Sequence, residues 1–229
     1  MRNNSFSIYR GQVTGMFGLI GSGRTETAKI ISGVLKRNFF HGGAIKLDGE
    51  SVRYRVPGPA VRDGIVYVTE DRKVEGFFET MSIANNIYSS VLAANLNKSV
   101  LVSFAEVKSV AKTWIKNLNI KAIDSNARVI ELSGGNQQKV VIAEALVQEP
   151  KLVIFDEPTR GVDVGAIAEI HELINQLADS GLAVLVISSY LPEIIGLSDR
   201  ILVSRLGRIV EEFSPTTATE EKIMYAAVH

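Results

Sequence analysis

The chain has 229 residues, 46% of them hydrophobic, so it is long enough for one large α/β domain or two small ones. Its 25 basic residues balance its 25 acidic residues, which argues against a nucleic-acid groove or a polybasic membrane contact. The absence of cysteine excludes disulfides and thiolate metal sites. The apolar stretches are strand-sized, far below the roughly 18 residues of a spanning helix, and the N-terminus lacks an apolar signal core.

The first predicted element is a strand at residues 13–17 that leads into a glycine-rich loop and a helix. Residues 18–25 fit the phosphate-loop pattern GxxxxGK[ST] except that Arg24 stands where lysine is expected. The glycines allow backbone N–H groups to curl around β- and γ-phosphates, and Thr25 offers a hydroxyl to Mg²⁺. A guanidinium pairs with phosphate but cannot take the place of a compact ammonium without shifting the loop or the nucleotide. We therefore expect binding to survive better than chemistry.

The nucleotide contacts predicted here are Gly18, Gly21, Ser22, Gly23, Arg24, Thr25 and Glu26. The alternative is a glycine-rich turn from strand to helix that binds nothing.

Further strands are predicted from short β-branched runs at residues 65–68, 152–155, 184–187 and 201–203. Helical spacing is seen in Phe104, Val107, Ala111, Trp114, Ile115 and Leu118. Alternating strands and helices predict an α/β fold with a parallel sheet, and residues 44–53 predict a small antiparallel region. We expect one domain over 1–229, with a core at about 1–79 and 130–229 and an inserted helical subdomain at about 80–147.

The string LSGGNQQK at residues 132–139 is the most specific in the chain. Ser133 and two glycines offer a hydroxyl and backbone N–H groups at the start of a helix, which is a second anion site. The alternative is an ordinary capped helix. The predicted ligand contacts in this region are Ser133, Gly134, Gly135, Asn136 and Gln137.

Asp156 and Glu157 end the apolar run at residues 152–155. Acids at the carboxyl edge of a parallel strand face the ligand crevice of such sheets. Asp156 would hold Mg²⁺ through water, and Glu157 would polarise the attacking water. Acids that end a strand often only form turns, but PTRGVD follows here at residues 158–163, with Asp163 as a further predicted contact.

The phosphate loop, the signature string and the acidic strand in this order resemble the ATP-binding cassettes of ABC transporters. The strings GRTE at residues 23–26 and EDRK at residues 70–73 are similar to the second, C-terminal cassette of ribose, galactose and related importer ATPases. The resemblance implies an ABC-type phosphate-loop fold, ATP and Mg²⁺ as cofactors, and a fragment of a two-cassette polypeptide.

The resemblance also places two altered residues in this chain's own site. Glu70 falls where cassettes usually carry a glutamine that contacts Mg²⁺ and water, and Ser189 replaces the histidine of the switch segment. A carboxylate can ligate Mg²⁺ but adds like charge near the γ-phosphate, and a hydroxyl brings no imidazole to the transition state. The implied catalytic residues are Glu157, Ser189 and Glu70, and the implied metal ligands are Thr25, Asp156 and Glu70.

Cassettes usually carry an aromatic residue that stacks on adenine further upstream of the phosphate loop than Ser5 reaches. Tyr9 is therefore more simply a core or edge aromatic, although an adenine platform is the alternative.

We expect an ATPase of the ABC class whose own site hydrolyses weakly and whose intact signature completes a partner's site. The implied partners are the N-terminal cassette of the same polypeptide or a second copy, a transmembrane sugar permease and, indirectly, a periplasmic sugar-binding protein. The implied location is the cytoplasmic face of the inner membrane. Two alternatives stay open: a non-catalytic regulatory module, and a non-transport cassette acting on nucleic acid, against which the neutral charge counts.

Overall fold

A computed structural model of the protein describes residues 4–37, 43–94 and 102–229. The strands, in chain order, are β1 (Gln12–Phe17), β2 (Ile45–Leu47), β3 (Glu50–Val52), β4 (Ile65–Val68), β5 (Leu152–Asp156), β6 (Ala183–Ser188), β7 (Arg200–Arg205) and β8 (Arg208–Phe213). The helices are α1 (Arg24–Ile31), α2 (Pro57–Arg62), α3 (Ile83–Ala94), α4 (Phe104–Asn117), α5 (Gly134–Leu146), α6 (Val164–Asp179), α7 (Leu191–Leu197) and α8 (Glu220–Val228). Short helical turns lie at Arg72–Gly76 and Val129–Glu131.

The chain divides into two compact units. The first unit takes in the described parts of residues 1–67, 151–157 and 174–229, and the second takes in those of residues 68–150 and 158–173. The predicted limits of a core and a helical subdomain at 80–147 stay a prediction, and residues 95–101 of that span lie outside the described residues.

The main sheet has the strand order β4-β5-β6-β1-β7-β8. The pairs β5–β6, β6–β1 and β1–β7 are parallel, and β8 closes the edge in antiparallel register with β7. The buried faces are filled by aliphatic side chains, as a parallel sheet requires, because helices cover such sheets. The predicted α/β fold with a largely parallel sheet is confirmed.

The predicted antiparallel region at residues 44–53 is the hairpin of β2 and β3. Asp48 and Gly49 form its turn with φ values of 50° and 89°. Positive φ angles at both central residues are what a type I′ hairpin turn requires, and an Asp-Gly pair tolerates both. This prediction is also confirmed.

The second unit contains α3, α4 and α5, with α3 packed against both of the others. Its apolar cluster joins Ala84 and Tyr88 of α3 to Val107 and Ala111 of α4. The α5 helix is buried over most of its length. Among the described residues, no helix has both the length and the apolar character that crossing a bilayer requires.

Glu144 on α5 has an Oε1 atom that is shielded from solvent and has no hydrogen-bond partner among the described residues. Burial raises the pKa of this carboxyl to about 8. In the unfolded chain an ordinary glutamate titrates near pKa 4.3, so the folded state holds the proton more tightly. The free energy of unfolding contributed by Glu144 is therefore fully present at low pH and falls as pH rises towards 8.

We expect urea denaturation of the wild type to show this fall between pH 5 and pH 8, by up to about 1.4 kcal/mol per pH unit. A Glu144→Gln variant should lose the dependence because it has no proton to release. The matched control is Glu211→Gln, which changes an exposed carboxyl on β8 and should keep the wild-type slope. Parallel pH profiles for the wild type and Glu144→Gln would contradict the assigned burial.

Candidate functional site

The carboxyl ends of β1, β5 and β6 lie side by side at one edge of the sheet. Phe17 at the end of β1 is level with Ser188 of β6, and Asp156 at the end of β5 is level with Ile187. Ligands of parallel α/β sheets bind beyond such strand ends. The pairing brings together the segments that carry the predicted residues Gly18 to Thr25, Asp156, Glu157 and Ser189.

The glycine-rich loop between β1 and α1 is hydrogen-bonded to the end of β7 and to the turn between β7 and β8. The Ser22 N–H donates to the Leu19 carbonyl at 2.9 Å, and the Ser22 carbonyl accepts from the Gly207 N–H at 2.8 Å and the Ser204 hydroxyl at 2.9 Å. Gly23 has φ of 90°, and a Cβ there would lie 2.8 Å from the Gly207 Cα, so a side chain does not fit. The loop ends where α1 begins, and the first N–H groups of a helix have no intrahelical acceptor.

Two other predicted loop contacts are exposed. Gly21 has φ of 80° and open space where a Cβ would be, and Glu26 lies in the first turn of α1. A ligand could reach both residues from solvent.

Arg24 folds back onto its own loop. Its Nη1 donates to the carbonyls of Gly18 and Leu19, both at 2.7 Å, and its Nη2 donates to Oε1 of Glu157 at 2.8 Å. The two charged side chains are only 9% and 11% exposed, so solvent screens their attraction weakly. The one cation of this loop that could meet a phosphate is thus already bound to the acid at the end of β5.

Glu157 is held in a conformation that is uncommon for a side-chain-bearing residue, with φ of 49°. Its N–H donates to the Ile187 carbonyl at 2.8 Å, and its Oε1 accepts the Ser189 N–H at 2.8 Å. The Ser188 hydroxyl lies 3.4 Å from Oε2. Ser189 therefore contacts the acid through its backbone.

Asp156 and Thr25 form an oxygen pair suited to a magnesium ion. The Thr25 hydroxyl donates to Oδ1 of the fully buried Asp156 at 3.3 Å, and the Tyr67 hydroxyl donates to Oδ2 at 2.8 Å. Among the described residues no cluster of three or more His, Cys, Asp or Glu side chains could hold a metal unaided. Mg²⁺ takes few carboxylates and completes its shell with phosphate and water, so the pair fits it. Tyr67 was missed by sequence reasoning because a tyrosine inside an apolar strand carries no motif.

Tyr9 is half exposed, and the Arg200 guanidinium stands 5.0 Å from the centre of its ring. A cation therefore already lies against this aromatic.

The signature residues lie in the second unit. The Ser133 hydroxyl caps α5, accepting from the Asn136 backbone N–H at 3.5 Å and from its Nδ2 at 2.9 Å. Asn136 in turn accepts the Lys121 N–H on Oδ1 at 2.8 Å. The asparagine that follows the two glycines thus orients the serine hydroxyl.

Both signature glycines are required by packing within this unit. A Cβ on Gly134 would lie 2.6 Å from the Gly161 carbonyl oxygen, and one on Gly135 would overlap the Cβ of Ala166. The start of α5 therefore packs closely against residues 161–166.

Beside this turn lies an open cavity of about 260 Å³. Its polar lining includes Lys121, Ser133, Asn136, Lys139, Asp163 and Glu169. Lys139 donates to Glu169 at 2.5 Å, and this hydrogen bond holds the pKa of the Glu169 carboxyl below its usual range. The predicted contacts Ser133, Gly135, Asn136 and Asp163 thus share one polar cavity.

Glu70 and Gln137 belong to the same unit. The Glu70 carboxylate accepts from Arg160 at 2.9 Å, and Gln137 donates to the Leu132 carbonyl at 3.0 Å. The buried Arg72 also contacts Gln137 and residues 160–161. Sequence reasoning used Arg72 only as part of the string EDRK and assigned it no role.

The chain matches the ABC transporter family over residues 1–160. It is 45% identical over 224 residues to the ribose import ATP-binding protein RbsA of Caldanaerobacter subterraneus subsp. tengcongensis, covering 98% of this chain and 45% of that protein. It is 46% identical over 225 residues to the xylose import ATP-binding protein XylG of Thermoanaerobacter pseudethanolicus, covering 98% of this chain and 44% of that protein. The chain thus spans less than half the length of these relatives.

The fold is similar to the dimeric structure of MJ0796, a bacterial ABC transporter cassette, with a TM-score of 0.78 and 22% identity, covering 93% of this chain and 89% of that chain. The resemblance inferred from the motifs is confirmed. From its family match, its relatives and its fold, the chain belongs to the ATP-binding cassettes of ABC transporters, a family of ATPases.

Proposed function

We propose that this chain is the ATP-binding cassette of a carbohydrate importer, with a degenerate site of its own and a signature that completes the site of a partner cassette. The observation that carries the proposal is the Arg24 side chain, bound to Gly18, Leu19 and Glu157.

Hydrolysis of ATP needs several groups at once: a loop cation on the γ-phosphate, Mg²⁺, an acid that polarises water and a switch residue. In this site the loop cation neutralises the acid, because Arg24 pairs with Glu157. Ser189 supplies a serine at the switch position, and Glu70 supplies an acid at the glutamine position. We therefore infer slow or absent hydrolysis.

Binding of Mg-ATP is retained in this proposal. The curled loop of residues 18–23 and the start of α1 offer backbone N–H groups to the phosphates. Thr25 and Asp156 would hold Mg²⁺, which neutralises charge on the phosphate oxygens. Glu70 is proposed to ligate Mg²⁺ as well, since a carboxylate oxygen is a ligand that Mg²⁺ accepts.

The partner is proposed to be another cassette, either the N-terminal one of the same polypeptide or a second copy. Two observations support this: the relatives are more than twice as long as the chain, and the cassette MJ0796 is described as dimeric. Ser133, Asn136 and Asp163 line one cavity at the start of α5, where the serine hydroxyl and the helix N-terminus suit the phosphates of a nucleotide.

The relatives' names, which specify ribose and xylose import, support a sugar permease as membrane partner and, through it, a periplasmic sugar-binding protein. The chain would then act at the cytoplasmic face of the inner membrane. The same Arg24–Glu157 pair also favours a second candidate, a regulatory module that binds ATP without hydrolysing it at either site.

Nucleotide affinity tests the Arg24–Glu157 pair. We expect the wild type to bind Mg-ATP weakly, with Kd of about 1 μM to 1 mM. Glu157→Gln should bind about 3- to 10-fold more tightly in calorimetry, because it removes a negative charge and frees the guanidinium for phosphate. The gain should shrink in an Arg24→Gln background, since coupled residues are not additive.

The control for affinity is Glu211→Gln, which changes a surface carboxyl on β8. An equal gain from Glu157→Gln with and without Arg24 would mean that the ion pair does not limit binding.

Hydrolysis by the chain alone should be near background in a phosphate-release assay. Arg24→Lys by itself should not restore it, because Ser189 and Glu70 still differ from an active site. Robust wild-type turnover that Glu157→Gln abolishes would contradict a degenerate site.

The signature is tested by Ser133→Ala in the assembly with partner cassette and permease. Losing one donor to developing charge typically lowers the rate about 10²- to 10³-fold, and we expect ATPase to fall by that factor. Arg24→Gln should lower it far less. Gly134→Asp should also silence the assembly, but Ser133→Ala is cleaner because Gly134 packs on Gly161.

The matched control is Thr219→Ala, which removes a similar side-chain cap from α8. If Arg24→Gln silenced the assembly as completely as Ser133→Ala did, this chain's own site would be the catalytic one.

A further inference from the structure

Arg72 is a buried cation that joins three segments of the second unit. Arg72 is 8% exposed and is the first residue of the helical turn Arg72–Gly76. Its Nη1 donates to the Arg160 carbonyl at 2.6 Å and its Nη2 to the Gly161 carbonyl at 2.7 Å. Its Nε lies 3.4 Å from Oε1 of Gln137 on α5. One planar group thus reaches both the loop before α6 and the signature helix.

Gln137, which accepts from Arg72, also binds the backbone just before the signature turn. Gln137 donates through Nε2 to the Leu132 carbonyl at 3.0 Å, directly before Ser133. Gly134 makes room for the guanidinium, because a Cβ there would lie 3.0 Å from Nη2 of Arg72. The signature glycine and the arginine therefore fit each other sterically.

The acceptors of Arg72 are two main-chain carbonyls and the amide oxygen of Gln137, which are uncharged groups. Burial lowers the pKa of Arg72, which reflects the cost of taking a charge out of water. Buried charges can be kept for conformational specificity, which is how we interpret this one. The ion pair of Glu70 with Arg160 at 2.9 Å lies between the same two segments, but the Arg160 side chain is 64% exposed, so solvent screening leaves this pair a small contribution.

We propose that Arg72 is a positioning residue, which locks the signature turn and residues 160–161 to the segment of residues 70–76 so that the three move as one piece. Arg72 sets the place of Ser133 through Gln137 and the place of Asp163 through Gly161. This positioning role does not depend on the proposed function. Only the expectation that Arg72 affects catalysis rests on the proposed function of the signature.

Amide hydrogen exchange of the full chain without nucleotide tests the lock. Two amides report on it: Gln137 N–H, which donates to the Ser133 carbonyl at 2.9 Å, and Val162 N–H, which donates to the Thr159 carbonyl at 3.1 Å. In Arg72→Ala both should exchange about 10- to 100-fold faster, because hydrogen bonds to a charged donor are lost. The amides of β6 in the first unit should be unchanged.

Rescue separates positioning from general stability. Guanidinium ion at low millimolar concentration should slow exchange again in Arg72→Ala by filling the vacated position. Arg72→Lys keeps the charge and most of the volume, so it should fold, yet a single ammonium cannot replace a forked donor and exchange should stay faster than in the wild type. The matched control is Arg160→Ala, which removes an exposed arginine but keeps the carbonyl that Arg72 uses.

Unchanged exchange at Gln137 and Val162 in both Arg72 variants would overturn the proposal. So would equal acceleration in β6, or acceleration that Arg160→Ala reproduces. Because the measurement needs neither ATP nor a partner, a failed ATPase test of the signature would leave the result on Arg72 standing.

Discussion

The parallel pairing of β1 with β6 and of β6 with β5 is the constraint on which the candidate nucleotide site depends. It places the ends of three strands level with one another, so that a loop, two acids and a serine separated widely in sequence share one edge. Helices cover both faces of such sheets, which leaves that edge as the place where polar groups collect. Without this pairing the glycine-rich loop could still form after β1, but Glu157 would not lie within reach of Arg24.

At that edge of the sheet, the Arg24–Glu157 pair is the contact on which the proposal of a degenerate site depends. An arginine in this position could have met phosphate from solvent, leaving the acid free to act on water. Instead, its guanidinium is divided between loop carbonyls and the acid. Removing one member of a buried ion pair typically costs about 3–5 kcal/mol because the other charge is left buried without a partner, so neither side chain can be replaced alone without loss of stability. In the proposed degenerate site, the two side chains bind each other and are therefore not available to phosphate and water.

In the second unit, several contacts restrict the short glycine-rich turn at the start of α5. Ser133 caps α5, Asn136 orients the serine, and packing fixes both signature glycines. Arg72 adds hydrogen bonds that carry this order into the loop before α6. In the proposed assembly, the turn is therefore already ordered before it meets the partner's nucleotide, so that binding costs it little conformational entropy.

The sequence by itself determined the α/β class, the main strands, the hairpin and the family, because these depend on local strings and on short-range periodicity. It also predicted that the phosphate loop is altered at Arg24. Only the tertiary structure decided that Arg24 binds Glu157, 133 residues away, and that Arg72 binds Gly161, 89 residues away. Motifs place residues near an edge or a turn, but which acceptor a long cationic side chain takes depends on packing between distant segments.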